Sequence, residues 1–205
     1  MNNHVDNKKE EFCRRLRLTN RDGVEQIITF LDDLGFFTAP ASTRFHLNHE
    51  GGLVEHSLNV CDVALDIREA IVKRNDDLED RLHVDSVVIA ALLHDVCKAD
   101  IYRPLSRRFE KVANVFGLGN KIPPYRVDYG DHPFGHGEKS VILLLKNGLE
   151  MTDDEMLAIR WHMSAWNLPF QASEILGNFN KAKAISPLVT LIQSADELAS
   201  QIMER

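Results

Sequence analysis

Val87 to Lys98 reads V-V-I-A-A-L-L-H-D-V-C-K. The run is apolar enough for a buried helix, yet it ends with His94 and Asp95 side by side. An ionised carboxylate in an apolar setting is costly unless something pairs with it. A divalent cation pairs with it, and the histidine beside it is a metal-ligand type. A carboxylate at the C-terminal end of a helix also opposes the helix dipole, which strengthens the need for a cation. Lys98 supplies that cation in a purely structural account, and a phosphate contact in a functional one. The rest of the chain then has to supply further ligands if a metal is the answer.

The chain has 205 residues, of which 44% are hydrophobic, so one domain with a substantial core is expected. Residues 1–39 are expected to be N-terminal helices packed on a single globular domain over 40–205. The formal charge of -7 argues against broad, non-specific nucleic-acid binding, though not against a phosphorylated ligand at a local site. Cys13, Cys61 and Cys97 are far apart and have no CxxC spacing, which reads as reduced thiols of a cytoplasmic protein. Neither an apolar signal region nor a membrane-length apolar run is present, so no membrane partner is expected. An oligomer is compatible with the sequence.

Helical periodicity recurs through most of the chain, which predicts an all-α bundle. Helices are expected over 5–18, from an Asn20 N-cap to Gly35, from Leu53 to Arg74, and from Val84 to about Val96. Further helices are expected from Val141 to Lys146 with His136 at the approach, after a Thr152 capping box, over Ser173 to Lys183, and from Ser186-Pro187 onward. Between 106 and 130 the pattern loosely alternates, with turn-forming glycines, and predicts an inserted β-hairpin or lid. It carries Arg107, Arg108, Lys111, Lys121 and Arg126, with Arg103 just before it, an excess of positive charge in an acidic chain. A solvated basic surface explains that excess equally well.

His56 lies three residues after Leu53 and four before Val60, so it points with a buried stripe. Alone it reads better as a core histidine. His162 lies three after Ile159, and Asp196 lies four after Ile192 and three before Ala199. Three ionisable groups thus interrupt apolar stripes on three helices, and His94-Asp95 ends a fourth. Buried charges need partners, and these are one another's obvious partners. Imidazole and carboxylate together suit Fe, Mn, Co, Ni or Zn.

The order His56, His94-Asp95, Asp196 resembles the H…HD…D pattern of the HD-domain metal-dependent phosphohydrolases. Gly51-Gly52-Leu53-Val54-Glu55-His56-Ser57-Leu58 is similar to the matching stretch of HD domains related to a 3′–5′ exoribonuclease, and His94 to Lys98 has the HDxxK form. The resemblance spans roughly residues 40–200. It implies an all-α HD bundle in which His56, His94, Asp95 and Asp196 bind one divalent metal. Asp95 bridges to a second, held also by His136 and His162. His132 competes with His136, which is preferred because Gly135-His136 opens a helix. Magnesium is a further candidate metal.

Two such metals share a hydroxide at neutral pH that attacks a phosphate ester. Asp95 and Lys98 are the expected catalytic residues. The substrate is expected to be a nucleotide, another phosphorylated small molecule or a nucleic-acid end. Arg44, His46, His49 and Lys139 are candidate substrate contacts, as is His132 if it is not a ligand. Arg44, His46, His49 and Lys139 read equally well as ordinary surface residues. The competing classes are an HD sensor that binds metal and nucleotide without turnover, and a di-iron HD oxygenase. The complete ligand set disfavours the sensor, and Lys98 with the arginine-rich insert favours phosphate over oxygenase chemistry.

Overall fold

A computed structural model describes residues 3–106, 115, 122–130, 132–164 and 173–204. The chain runs α1 (Asn3–Leu18), α2 (Val24–Leu34), a 3₁₀ turn (Phe36–Thr38), α3 (Gly52–Val72), a second 3₁₀ turn (Asp76–Leu78), α4 (Val84–Leu93) and α5 (Cys97–Ile101). Then come β1 (Tyr102–Pro104), β2 (Tyr125–Val127), α6 (His136–Lys146), α7 (Asp153–Trp161), α8 (Ser173–Ile185), α9 (Pro187–Leu198) and a π turn (Ala199–Met203). It is an all-α fold carrying one small two-stranded sheet.

α4 is apolar all round, with Val87 to Leu93 buried, so it belongs at the centre of the bundle. It packs on α3, and α9 closes the layer against α3 and α7. Phe12, Phe36 and Phe37 form a cluster with centroids 5.2–5.5 Å apart, Phe37 edge-to-face with the other two, that seats α1 and the first 3₁₀ turn on this core. Among the described residues, no helix is long and apolar enough to cross a membrane.

Three expected boundaries move, one being the start of α6, which lies at His136 and not at Val141. Asn20 does not cap α2. It adopts φ 49° beyond the end of α1, where its N–H donates to Arg17 O, and α2 begins only after Gly23. An asparagine can adopt this left-handed conformation more readily than most residues, so its role is to stop one helix instead of starting the next. The helix through Val87 ends at Leu93 and not near Val96. A turn at His94–Val96 precedes the short α5, so the His-Asp pair sits in a break between two helices.

β1 and β2 pair antiparallel, with Tyr102 opposite Val127 and Pro104 opposite Tyr125. They form the base of the insert. Arg103 and Arg126 face each other across this pair. Arg107, Arg108, Lys111 and Lys121 lie outside the described residues.

At α7 the Thr152 side chain accepts from Glu155 N–H, and the Glu155 carboxylate accepts from Thr152 N–H. Arg21 forks onto the same buried carboxylate at 2.8 and 2.9 Å, which ties the N-terminal helices to the core. Arg21→Ala leaves that buried charge without its cation. It is expected to lower stability by about 3 kcal/mol, read as a lower urea midpoint with unchanged slope.

Candidate metal centre

The centre is built from helix ends. His94 caps the C-terminus of α4, Asp95 follows in the break, His136 is the first residue of α6 and His162 caps the C-terminus of α7. His56 comes from the second turn of α3 and Asp196 from the last turn of α9.

The last carbonyls of a helix have no partner within it. Here two of them orient imidazoles. His94 Nδ1 donates to Ala91 O at 2.8 Å, and His162 Nδ1 donates to Ile159 O at 2.7 Å. A carbonyl only accepts, so each Nδ1 carries a hydrogen and each Nε2 is the nitrogen turned to the cluster. His56 and His136 likewise point Nε2 inward.

All four rings converge on Asp95, which is 1% exposed. His56 Nε2 and His94 Nε2 lie 3.4 and 3.2 Å from Asp95 Oδ2. His136 Nε2 and His162 Nε2 lie 2.5 and 3.3 Å from Oδ1. The two carboxylate oxygens therefore divide the histidines into two pairs. Asp196 Oδ1 stands 3.2 Å from His56 Nε2 on the first side.

This donor set fits a divalent metal. His162 Nε2 is buried with no hydrogen-bond partner, and Asp95 Oδ2 accepts no well-directed hydrogen bond although Lys98 Nζ lies against it. Buried polar atoms are nearly always satisfied, so these exceptions call for a missing partner. The trios His56/His94/Asp95, Asp95/His136/His162 and His94/His162/Asp196 each place their ligand atoms within 4.8 Å of one another.

Without metal the cluster is held by protons. Burial raises the cost of charge on Asp95, but Lys98, His94 and His136 outweigh it and hold the carboxyl well below its usual range. Burial likewise penalises charge on His56, and hydrogen bonds to Asp196, Asp95 and Glu204 reverse it, holding the ring well above the usual histidine value. For His136, burial is again overcome, by Cys97 and Asp95, and its pKa is pushed up to about 10. Both rings are thus protonated at neutral pH, and a metal must displace those protons. Metal uptake at pH 7 is expected to release protons, and affinity to fall as pH falls. Calorimetry in buffers of different ionisation enthalpy reads this directly, and a heat independent of buffer would contradict it.

A cavity of about 490 Å³ opens onto the cluster. Lys98, His46, His136, His162 and Asp196 reach it, together with Phe45, Tyr102 and Gln193. Four candidate substrate contacts do not line it. Arg44 and His49 are exposed, with the His49 ring turned to Glu50 O at 3.0 Å. His132 is exposed and stacks on Phe134 away from the cluster, so that His136 occupies the place beside Asp95. Lys139 is buried against Asp100 Oδ2 at 2.5 Å and Tyr129 O at 3.3 Å, which already employ its ammonium.

The HD domain family matches residues 53–201. The chain belongs to the HD domain family. The matched span runs from α3 into the π turn, and includes all six of His56, His94, Asp95, His136, His162 and Asp196. A relative named dihydroneopterin 2′,3′-cyclic phosphate phosphodiesterase, from Methanocaldococcus jannaschii, is 39% identical over 64 residues. That alignment covers 29% of this HD chain and 23% of the relative. No solved structure gives a significant match.

Sequence reasoning missed two neighbours of the centre. Cys97 Sγ sits 3.4 Å from His136 Nδ1, and Glu204 contacts His56 Nδ1. Cys97 looked like one more buried thiol. Glu204 lies beyond the last apolar turn and is off the Asp196 face by helical count, so no periodic signal marks it.

Proposed function

We propose that this HD-domain protein is a metal-dependent phosphohydrolase acting on a phosphorylated small molecule, with nucleotides and cyclic phosphate diesters foremost. The observation that carries this reading is the division of four imidazoles between the two oxygens of Asp95, with Lys98 against the same carboxylate. Family membership supports a hydrolase, and the relative's name supports a phosphodiester as one substrate type. The cavity is of the size that holds a small ligand, and the chain's net charge of -7 disfavours an extended nucleic acid.

In this reading His56, His94, Asp95 and Asp196 hold one divalent ion, and Asp95, His136 and His162 hold a second. Bound there, the ions supply Lewis acidity toward a phosphoryl oxygen and an activated water at neutral pH. Lys98 adds a fixed positive charge at the cavity wall, where charge accumulates on the phosphoryl oxygens in the transition state. His46 lines the same cavity and in this reading would meet the remainder of the substrate. The cavity's aromatic residues, Phe45 and Tyr102, offer faces for a planar group.

The test is a screen of metal-loaded protein against phosphomonoesters, 2′,3′-cyclic phosphates, linear diesters and nucleotides, with Mn, Co, Ni, Fe and Mg in turn. Hydrolysis of one ester class, lost on chelation, is the expected result. Protein that takes up metal yet cleaves no phosphate ester would favour a binding module without turnover.

A further inference from the structure

The four inward-pointing histidines need something to hold the far side of each ring. His94 and His162 use the free carbonyls at the ends of their own helices, and His136 rests on Cys97 Sγ. His56 has no such resource. It lies in the second turn of a 21-residue helix, where the carbonyls three and four residues back are taken by the helix's own hydrogen bonds. Its orienting group has to come from another part of the chain.

We propose that Glu204 is a positioning residue for His56, holding the ring with its hydrogen on Nδ1 and its Nε2 turned toward Asp95 and Asp196. This inference rests on the metal-centre reading above. His56 Nδ1 lies 3.1 and 3.0 Å from the two Glu204 carboxylate oxygens, which can only accept. The Glu204 side chain is 1% exposed, so its carboxylate is buried against the ring.

Glu204 is itself anchored. Asn59 Nδ2 donates to Glu204 Oε1 at 2.9 Å. Asn59 lies three residues after His56, so the group that fixes the carboxylate and the ring fixed by it share one face of α3. His46 Nε2 approaches Glu204 Oε2 to 3.9 Å, bringing the cavity-lining loop before α3 up to the same post.

The π turn accounts for the placement. Eight residues of unbroken α-helix would leave Glu204 roughly 80° off the Asp196 face. The wider Ala199–Met203 turn rotates less per residue and returns the chain toward that face. Asp196 and Glu204 then meet the two nitrogens of one ring, at 3.2 Å from Nε2 and 3.0 Å from Nδ1. Insertions of this kind often mark functional sites, and here the displaced residue has a defined target.

The test compares Glu204→Ala and Glu204→Gln with wild type by Co²⁺ titration, following the metal's visible absorption, alongside thermal unfolding of the metal-free proteins. Glu204→Ala is expected to weaken Co²⁺ binding by about 10- to 100-fold. Glu204→Gln, whose amide oxygen accepts the same hydrogen, is expected to recover most of the loss. Wild-type affinity in Glu204→Ala would overturn the proposal and leave the metal centre standing. So would equal losses in both variants that track a fall in metal-free stability, since that pattern means scaffold only.

A measurement on wild type guards against misfolded variants. In Zn²⁺-loaded, histidine-labelled protein, nitrogen-15 NMR should show a His56 Nδ1–H slow to exchange. Zinc on Nδ1, with hydrogen on Nε2, would refute the assignment. Wild type that binds neither metal would reject the metal reading of the centre, and this inference with it. None of these readouts requires turnover.

Discussion

Asp95→Ala is expected to abolish metal binding and all activity that depends on it. No other residue of the cluster has both carboxylate oxygens engaged by histidines from different helices. His56 and His94 approach one oxygen, His136 and His162 the other. Removing this carboxylate takes a ligand from both proposed metals and the main compensating charge from a group of buried rings. Metal catalysis supplies several kcal/mol, so loss on the order of 10⁴-fold in rate is expected. Elemental analysis after dialysis should find near-stoichiometric metal in wild type and almost none in the variant. Retention of full metal by Asp95→Ala would remove the centrepiece of the proposed site. Asp95→Asn keeps the shape and one accepting oxygen but not the charge, and should fall between.

The second large effect is expected at Lys98, with the opposite signature. Its side chain is buried, lies against Asp95 Oδ2 and reaches the cavity. Burial works against its charge, but Asp95, Tyr102 and Asp196 more than offset this and hold its pKa above the ordinary lysine value. It therefore remains cationic at and around neutral pH, and no ionisation of Lys98 should appear in a pH–rate profile there. Lys98→Ala is expected to leave metal content unchanged and to lower kcat by about 10²- to 10³-fold, the usual cost of one oriented electrostatic group. Lys98→Met, which retains most of the buried stem, separates lost packing from lost charge and should show the same fall. Metal loss equal to that of Asp95→Ala would make Lys98 a structural counter-charge instead.

The helices were legible because their apolar periodicities are long. Most of the cluster was legible because His56, His162 and Asp196 interrupt such periodicities and His94-Asp95 ends one, whereas His136, in the polar approach to α6, was reached only through the resemblance to HD domains. What escaped was whatever depends on a departure from regular geometry. The break after Leu93 leaves no trace in a run as apolar as Val87 to Leu93. Glu204 reaches His56 only because a π turn changes the count. Lys139 resembled a phosphate contact because its neighbour in the fold, Asp100, is 39 residues away in sequence. Asn20 looked like a helix start by residue type, and only its backbone conformation shows that it ends the helix before.

At Gly137 the backbone of α6 comes against the C-terminal end of α7. A Cβ there would stand 2.2 Å from Arg160 O and 2.7 Å from Ile159 O, so α6 and α7 touch backbone to backbone. His136 is its immediate neighbour, and Ile159 O is the acceptor that orients His162. The gap between those two imidazoles is consequently gauged by main chain, not by adjustable side chains. One methyl group is enough to force the helices apart. Gly137→Ala is expected to spread α6 from α7 and to lower the metal held by the proposed His136/His162 side of the centre, read by elemental analysis after dialysis.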